Sequence, residues 1–268
     1  PNVWIDFTGT RRESNNISSY INYNEADELF ELQSRKETGN FDMTILTLRT
    51  AFRERLSDNE EVSELFDEFR YKNRQIIANR LNQQRGWDET QGYSKRAGET
   101  VNGVSINSTE VIIPALLAAY SGVDASQISL KTRPGLASIR PNWRVNYNGN
   151  PQQIEWMKDI VHSLNFSHSY KSTYTIGRYE TNLAYTPDEN GLSWVRDELD
   201  GTSFIPELAI TSINIQEAFN PLINVDIGFV NDLSTRFEIR RTRNFNFDFT
   251  ANQLAEMVKN EFTVGVGY

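Results

Sequence analysis

Residues 159–177, DIVHSLNFSHSYKSTYTIG, alternate. Ile160, His162, Leu164, Phe166, His168, Tyr170, Ser172, Tyr174 and Ile176 share one parity. Val161, Ser163, Asn165, Ser167, Ser169, Lys171, Thr173 and Thr175 share the other. The first register is largely apolar and aromatic, and the second is small and polar. A period of two marks a strand whose two faces meet different surroundings. The same alternation recurs at Val3/Ile5/Phe7, Phe41/Met43/Ile45, Trp143/Val145/Tyr147 and Ile223/Val225/Ile227/Phe229. It recurs again at Phe237/Ile239, continuing through Arg241 and Arg243 to Phe245/Phe247/Phe249, and at Phe262/Val264/Val266/Tyr268. In 206–219 the parity changes between Leu208/Ile210 and Ile213/Ile215, which predicts a bulge near Ser212. About eight strands follow from these patterns, several of them longer than the usual five or six residues. The segments 219–223 (FNPLI) and 230–232 (VND) read as tight turns, and 250–261 as a short helical turn.

The stretch between Thr50 and Arg140 departs from period two. Within 57–86, Val62, Leu65, Phe66, Phe69, Ile76, Ile77 and Leu81 recur at helical spacing. Ser57 or Asp58 can cap the start of this helix, acids fill its first turn, and Gly86 stops it. A second, more apolar helix is predicted over 108–122, with Pro114 breaking or kinking it near its first turn. About ninety residues are too many for a bare loop, so this insertion carries its own structure. The chain divides into strands over 1–50, a helical insertion over 51–140 and strands with short turns over 141–268.

Composition narrows the setting. The 268 residues carry a formal net charge of −9, with 27 Lys and Arg against 36 Asp and Glu. An acidic chain lacks the basic footprint of a general nucleic-acid binder. Without cysteine there is no disulfide, thiolate metal site or cysteine nucleophile. No apolar run approaches the roughly 18–20 residues of a membrane-spanning helix. The mean hydropathy of −0.56 suggests a soluble protein. It leaves room for a membrane β-barrel, in which only alternate residues need be apolar. The first residue is Pro1 rather than methionine, which suggests processing or a piece of a longer protein.

No residues make a case for catalysis. His162 and His168 are six apart on one strand face, about 20 Å at a rise of roughly 3.3 Å per residue, too far to share a metal ion. The acids Asp58, Glu60, Glu61, Glu64, Asp67 and Glu68 lie on a helical pattern without a glycine-turned loop, so they read as a solvated face rather than a calcium site. The stretch 188–193 (DENGLS) reads as a turn. There is no phosphate-binding glycine loop, nucleophile triad or metal-ligand spacing. The protein is expected not to be an enzyme and to need no cofactor. Arg241 and Arg243 interrupt an apolar parity. If that face meets lipid, they must lie near an interface or under protein, because an arginine at the bilayer midplane costs roughly 2–4 kcal/mol. An aqueous extension of the strand beyond the membrane would serve equally.

Long strands with one apolar face suit two settings. In a sandwich the apolar faces meet each other. In a membrane barrel they face lipid and the polar faces line a wet lumen. Strand length favours the barrel, as do Trp143, Trp156, Tyr174, Tyr179 and Tyr268 near strand ends, where aromatic girdles occur. Irregular backbone cannot face hydrocarbon, so the insertion must lie outside the membrane or in the lumen. Connections alternate sides, which puts the insertions 50–140 and 177–205 on one side, extracellular by the usual loop asymmetry.

Several longer motifs carry a resemblance. RPNWRVNYNG (140–149), SLNFSHSYKSTYTIGRYETNLAY (163–185), VIIPALLAAYSG (111–122) and the whole of 214–268 resemble, in the same order, the C-terminal portion of the SprA family, also called Sov. The likeness covers most of the chain and is weakest over 15–40 and 185–205. That family is the giant outer-membrane translocon of the type IX secretion system, a very large single-chain β-barrel that exports folded proteins and supports gliding motility. The resemblance implies a mainly β, antiparallel transmembrane barrel segment of about eight long strands with a helical insertion, located in the bacterial outer membrane. It implies a PorV-type barrel, a plug protein and secreted cargo as partners, with membrane lipid around and no nucleic acid. Family members are several times longer and continue past a segment like FTVGVGY, so the chain is expected to be a fragment. On the opening stretch, Ser163, Asn165, Ser167, Ser169, Lys171 and Thr173 would face the lumen, and Leu164, Phe166, Tyr170, Tyr174 and Ile176 would face lipid. The competing readings are another outer-membrane transport barrel, such as a small-solute importer, and a soluble β-sandwich binding module.

Overall fold

The structure is a computed structural model that describes residues 2–24, 28–53, 64–88, 93–96, 99–189, 191–197 and 203–268. The fold is mainly β. Strands β1 (Asn2–Thr8), β2 (Arg11–Asn24) and β3 (Leu29–Thr44) precede the insertion. The insertion contains α1 (Glu64–Asp67), a π-helical stretch (Glu68–Asn73), α2 (Arg74–Gln84), the short strands β4 (Trp87–Asp88), β5 (Tyr93–Arg96) and β6 (Glu99–Asn102), and α3 (Thr109–Ser121). Then follow β7 (Asn142–Gly149), β8 (Val161–Thr181), β9 (Leu208–Phe229), β10 (Ser234–Asp248) and β11 (Gln253–Gly267). The three short strands form their own small sheet, and the other eight form one antiparallel sheet.

That large sheet has six lanes rather than eight. Strand β8 pairs with β9 along one side. Along its other side it pairs first with β7, over 164–170, and then with β3, over 173–180. The Arg140 amide donates to the Thr44 carbonyl at 3.2 Å, so β3 and β7 are two halves of one lane. Their outer neighbours β2 and β1 share the next lane in the same way. The insertion therefore leaves and rejoins the sheet halfway along a single lane. The remaining lanes are β8, β9, β10 and β11.

Directly paired residues share a face, so the registers define two faces across all six lanes. One face carries the apolar parities. Over the half where β3 pairs with β8, it is covered by α3, and α1, the π-helical stretch and α2 pack against α3 in turn. Helix α3 is buried from Val111 to Ser121, as a helix enclosed on all sides should be. Its Tyr120 ring lies 4.2 Å from that of Phe245 on β10. Ser108 precedes it in an extended conformation, and Gly122 ends it with φ of 65°, a left-handed cap that suits glycine. The helix runs unbroken through Pro114. Beneath it Tyr179 crosses Gly39 so closely that an added Cβ would lie 2.6 Å from its Oη, which explains a glycine inside β3.

Three sequence expectations change here. The segment 219–223 is not a turn. It lies inside β9, where four residues of β9 (220–223) face two of β8 (168–169), a bulge in a continuous strand. Residues 253–261 are strand rather than helical turn, because every residue from Gln253 pairs with β10. Strand β2 and the first half of β3 form a hairpin too polar on both parities to be read from alternation. Gly86 has φ of 69° and follows α2 as expected, whereas Ser57, Asp58, Glu60, Glu61 and Val62 lie outside the described residues. An irregularity does lie opposite Ser212, at Ile176 to Tyr179.

Candidate functional site

The two faces of the large sheet are the feature from which function can be argued. On the face away from the helices, β8 presents Ser163, Asn165, Ser167, Ser169, Lys171 and Thr173. Their cross-strand neighbours are Asn148, Asn146 and Arg144 on β7, and Asp226, Asn224, Ala218 and Gln216 on β9. Several charges on this face are paired along the surface. The Arg236 guanidinium donates to Asp226 at 2.5 Å, and that of Arg240 to Glu238 at 2.6 Å. Asn214 and Asn244 bond at 2.8 Å. The six residues expected on a wet face are thus together on one largely polar surface, which also carries Trp4, Ala218 and Met257, with Lys171 and Asn165 exposed.

The opposite face has two halves. The uncovered half runs from Val3, Ile5 and Phe7 on β1, through Val145 and Tyr147, Leu164 and Phe166, Val225 and Ile227, and Phe237 and Ile239, to Phe262, Val264 and Val266 on β11. No Asp, Glu, Lys or Arg falls on it. Leu164 and Phe166 are half-buried by their neighbours, while at the two edges Phe7 is 67% and Val264 73% exposed. His168 is also on this half, and its Nδ1 lies 2.7 Å from the Leu222 carbonyl oxygen.

In the covered half the lipid-facing expectation is corrected. Tyr174 and Ile176 are fully buried beneath the helical layer. Tyr170, at the boundary, is buried against Trp143, with ring centroids 4.4 Å apart, and Phe219. Neither Tyr174 nor Tyr179 belongs to an aromatic girdle, since both lie in the core. The physical reason is that an apolar strand face records burial without recording what does the burying.

The covered half also holds charge. Glu217 on β9 and Arg243 on β10 are both buried on the apolar parity, 3.1 Å apart. Both also bond to residues 47–51, where the insertion begins. The Thr47 hydroxyl donates to Glu217 at 2.5 Å, and the Thr47 amide to the Tyr170 hydroxyl at 2.8 Å. Arg243 donates to the Thr50 carbonyl at 2.9 Å and to its hydroxyl at 3.0 Å. Arg241 donates to the Ala51 carbonyl at 3.2 Å. The two arginines that interrupt the apolar parity are therefore covered by protein, one of the two placements open from the sequence. They fasten the insertion to the sheet. Glu217 was missed from the sequence. An acid and a base of opposite sign on the apolar parities of two predicted strands was the signal that could have found it.

No arrangement for covalent chemistry is visible among the described residues. No group of three potential ligands could hold a metal ion. A cleft of about 420 Å³ between β2, α3 and residues 130–133 contains Arg11, Glu13, Glu110, Arg133 and Glu207. Its charges are largely neutralised by one another, with Arg133 bonded to Glu13 and Arg11 to Glu13 at 2.9 Å. Around the expected turn, Asp188 accepts bonds from the Leu192 amide and the Trp194 indole. Among the described residues no helix is long and apolar enough to cross a membrane, which does not bear on strands. No protein-family model matches the chain, and neither does any curated protein.

Proposed function

We propose that this chain is a stretch of the wall of an outer-membrane β-barrel that exports folded proteins to the cell surface. The observation that carries this reading is the charge-free, uncovered half of one face, set against a largely polar opposite face. Eight residues of β7 run about 26 Å at roughly 3.3 Å per residue, or about 20 Å after the usual barrel tilt. That height suits the roughly 25 Å apolar band of an outer-membrane barrel. In this reading the uncovered half meets lipid through Leu164 and Phe166. The face with Ser163, Asn165, Ser167, Ser169, Lys171 and Thr173 lines the water-filled lumen. Small polar side chains suit a conduit that must not hold its cargo.

The resemblance of the four long motifs to the SprA family supplies the activity: type IX secretion, with a PorV-type barrel, a plug protein and exported cargo as partners. Six lanes are fewer than the eight of the smallest outer-membrane barrels. In this reading further strands pair both sheet edges, because an open edge cannot stand in hydrocarbon. The short connection 230–233 lies at the uncovered end, and the long connection 182–207 joins the helical layer at the other. The usual loop asymmetry then puts the helical layer on the extracellular side.

The chain has no cysteine, so single cysteines test the reading directly. In isolated outer membranes, Ser167→Cys and Thr263→Cys should react with a membrane-impermeant maleimide once the lumen is open to it. Phe166→Cys and Val264→Cys should react only with a lipid-dissolved reagent. A protein that stays in the soluble fraction, with all four positions equally reactive or with 166 and 264 shielded from both reagents, would replace the wall with a β-sandwich.

A further inference from the structure

The boundary between the two halves of the apolar face holds a cavity of about 360 Å³. It lies where the insertion leaves and rejoins the lane of β3 and β7. Its floor is apolar: Met43 and Ile45 from the end of the β3 lane, Leu117 from α3, and Ile128. The two charged residues that line it are Arg49 and Arg140, and no acid does, in a chain whose net charge is −9. Neither arginine is in an ion pair among the described residues. Each is steadied instead by main-chain carbonyls. Arg49 donates to the Gly122 carbonyl at 3.2 Å, and Arg140 to those of Ala137 and Ile139 at 3.0 and 2.9 Å. A carbonyl orients a guanidinium without cancelling its charge. Each fork keeps further N–H donors for an oxyanion, and planar forks of this kind suit phosphate.

The cavity is continuous with the uncovered face. Leu46 lines it and also packs with Trp143, Tyr170 and Phe219, where the uncovered half begins. Exposed Leu48 and Phe52 lie in the same segment. An apolar floor, two uncompensated cations and an apolar surface running away from them match one kind of occupant: a molecule with an acyl chain and an anionic phosphate head. The volume lies within the roughly 300–1,000 Å³ of small-molecule sites.

The geometry points to this cavity as a binding site for one anionic phospholipid-type molecule, its phosphate between Arg49 and Arg140 and part of an acyl chain over Met43, Ile45, Leu117 and Ile128. The inference rests on the membrane-wall reading and deepens it. The site fixes the level of the headgroups at mid-sheet, directly under the helical insertion. The insertion then rides on the lipid side of the wall rather than inside the lumen.

The test uses the whole protein purified in detergent, mixed with phosphatidylglycerol or phosphatidylcholine of identical acyl chains and examined by native mass spectrometry. Wild type should retain one phosphatidylglycerol, at least about tenfold in preference to phosphatidylcholine. The double variant Arg49→Gln/Arg140→Gln should lose that preference, and Arg49→Lys/Arg140→Lys should keep most of it. Glycerol phosphate, which carries the head without the chains, should not displace the bound lipid. Equal retention of the two lipids by wild type would overturn the site, as would an unchanged preference in the glutamine variant or displacement by glycerol phosphate. The same preparation reports separately on the parent reading. Membrane partition without lipid preference removes only this site, whereas a soluble protein removes both.

Discussion

The two halves of the apolar sheet face are written in the same alternation, yet they differ in what they admit. The half under the helices contains Glu217 and Arg243 among Ile213, Ile215 and Phe245, all nearly inaccessible. The uncovered half contains no charged residue in any of its six lanes. Burial by protein brings partners with it: Thr47 and Thr50 of the insertion add to what Tyr170 of β8 supplies within the sheet. Burial by lipid brings none, so a lipid-facing half must contain nothing that needs a partner. Admission of charge, more than hydrophobicity, separates a protein-covered strand face from one that meets hydrocarbon.

The sharpest way to break this comparison is to remove the partner of a charge in the covered half. Arg243→Ala leaves Glu217 buried without its paired cation and removes both bonds from Arg243 to Thr50. Loss of one member of a buried pair costs about 3–5 kcal/mol, and this should appear as a large drop in the denaturant midpoint of the purified protein. Little change would mean that the insertion is held by its apolar contacts alone.

Truncation separates the halves next. Ile176→Ala opens a cavity beneath the helical layer and should cost about 2–5 kcal/mol. Val264→Ala, 73% exposed in the native chain, should cost less than about 0.5 kcal/mol in detergent. Equal losses at the two positions would show the uncovered half to be packed against protein.

Introducing charge reverses the ranking. Val264→Arg should cost about 2–4 kcal/mol for insertion into vesicles if the position lies near the bilayer midplane. Thr263→Arg, one residue away on the polar face, should insert almost as wild type. Membrane-inserted fractions after refolding measure both, and equal insertion of the two variants would remove lipid from the uncovered half.

Much of this was legible in the sequence. Strict period two over 159–177 placed β8 to within a few residues and sorted its two faces correctly. The helices appeared because Leu65, Phe69, Ile76 and Ile77 keep a helical spacing that no strand would. Long-range partners were not legible. Nothing local in FDMTI or TRPGLASIRPNW says that β3 and β7 share a lane, since the registration is set by β8. Tyr174 and Leu164 look alike in a list of alternating residues, and only the return of α3 over one half distinguishes them. FNPLI carried the punctuation of a turn, but the ladders on both sides of β9 outweighed it, leaving a bulge. Residues 250–261 read as a short helical turn, and from Gln253 onward pairing with β10 overrode it.

The smallest effect lies in the helical layer itself, at Glu110 in the first turn of α3. Burial holds its carboxyl above the usual carboxylate range, and Arg85, 3.7 Å away, offsets this only in part. A carboxyl whose native affinity for the proton exceeds its unfolded one contributes stability below the unfolded pKa of about 4.3. That contribution is lost as pH rises through the native value. At neutral pH the ionised Glu110 is therefore a net cost, and Glu110→Gln should raise stability there by at most about 1 kcal/mol. The gain should vanish near pH 4, where the wild-type carboxyl is already protonated. Arg85 keeps the favourable charge of Asp188, besides its bond to the Ser193 carbonyl at 2.5 Å and the face of Phe204 at 4.3 Å, so the substitution does not leave it without an acid. Paired thermal melts at pH 4 and pH 7 decide the balance. A loss at neutral pH would mean that the attraction of Arg85 outweighs burial, making this pair a second fastening of the helical layer beside that of Glu217 and Arg243.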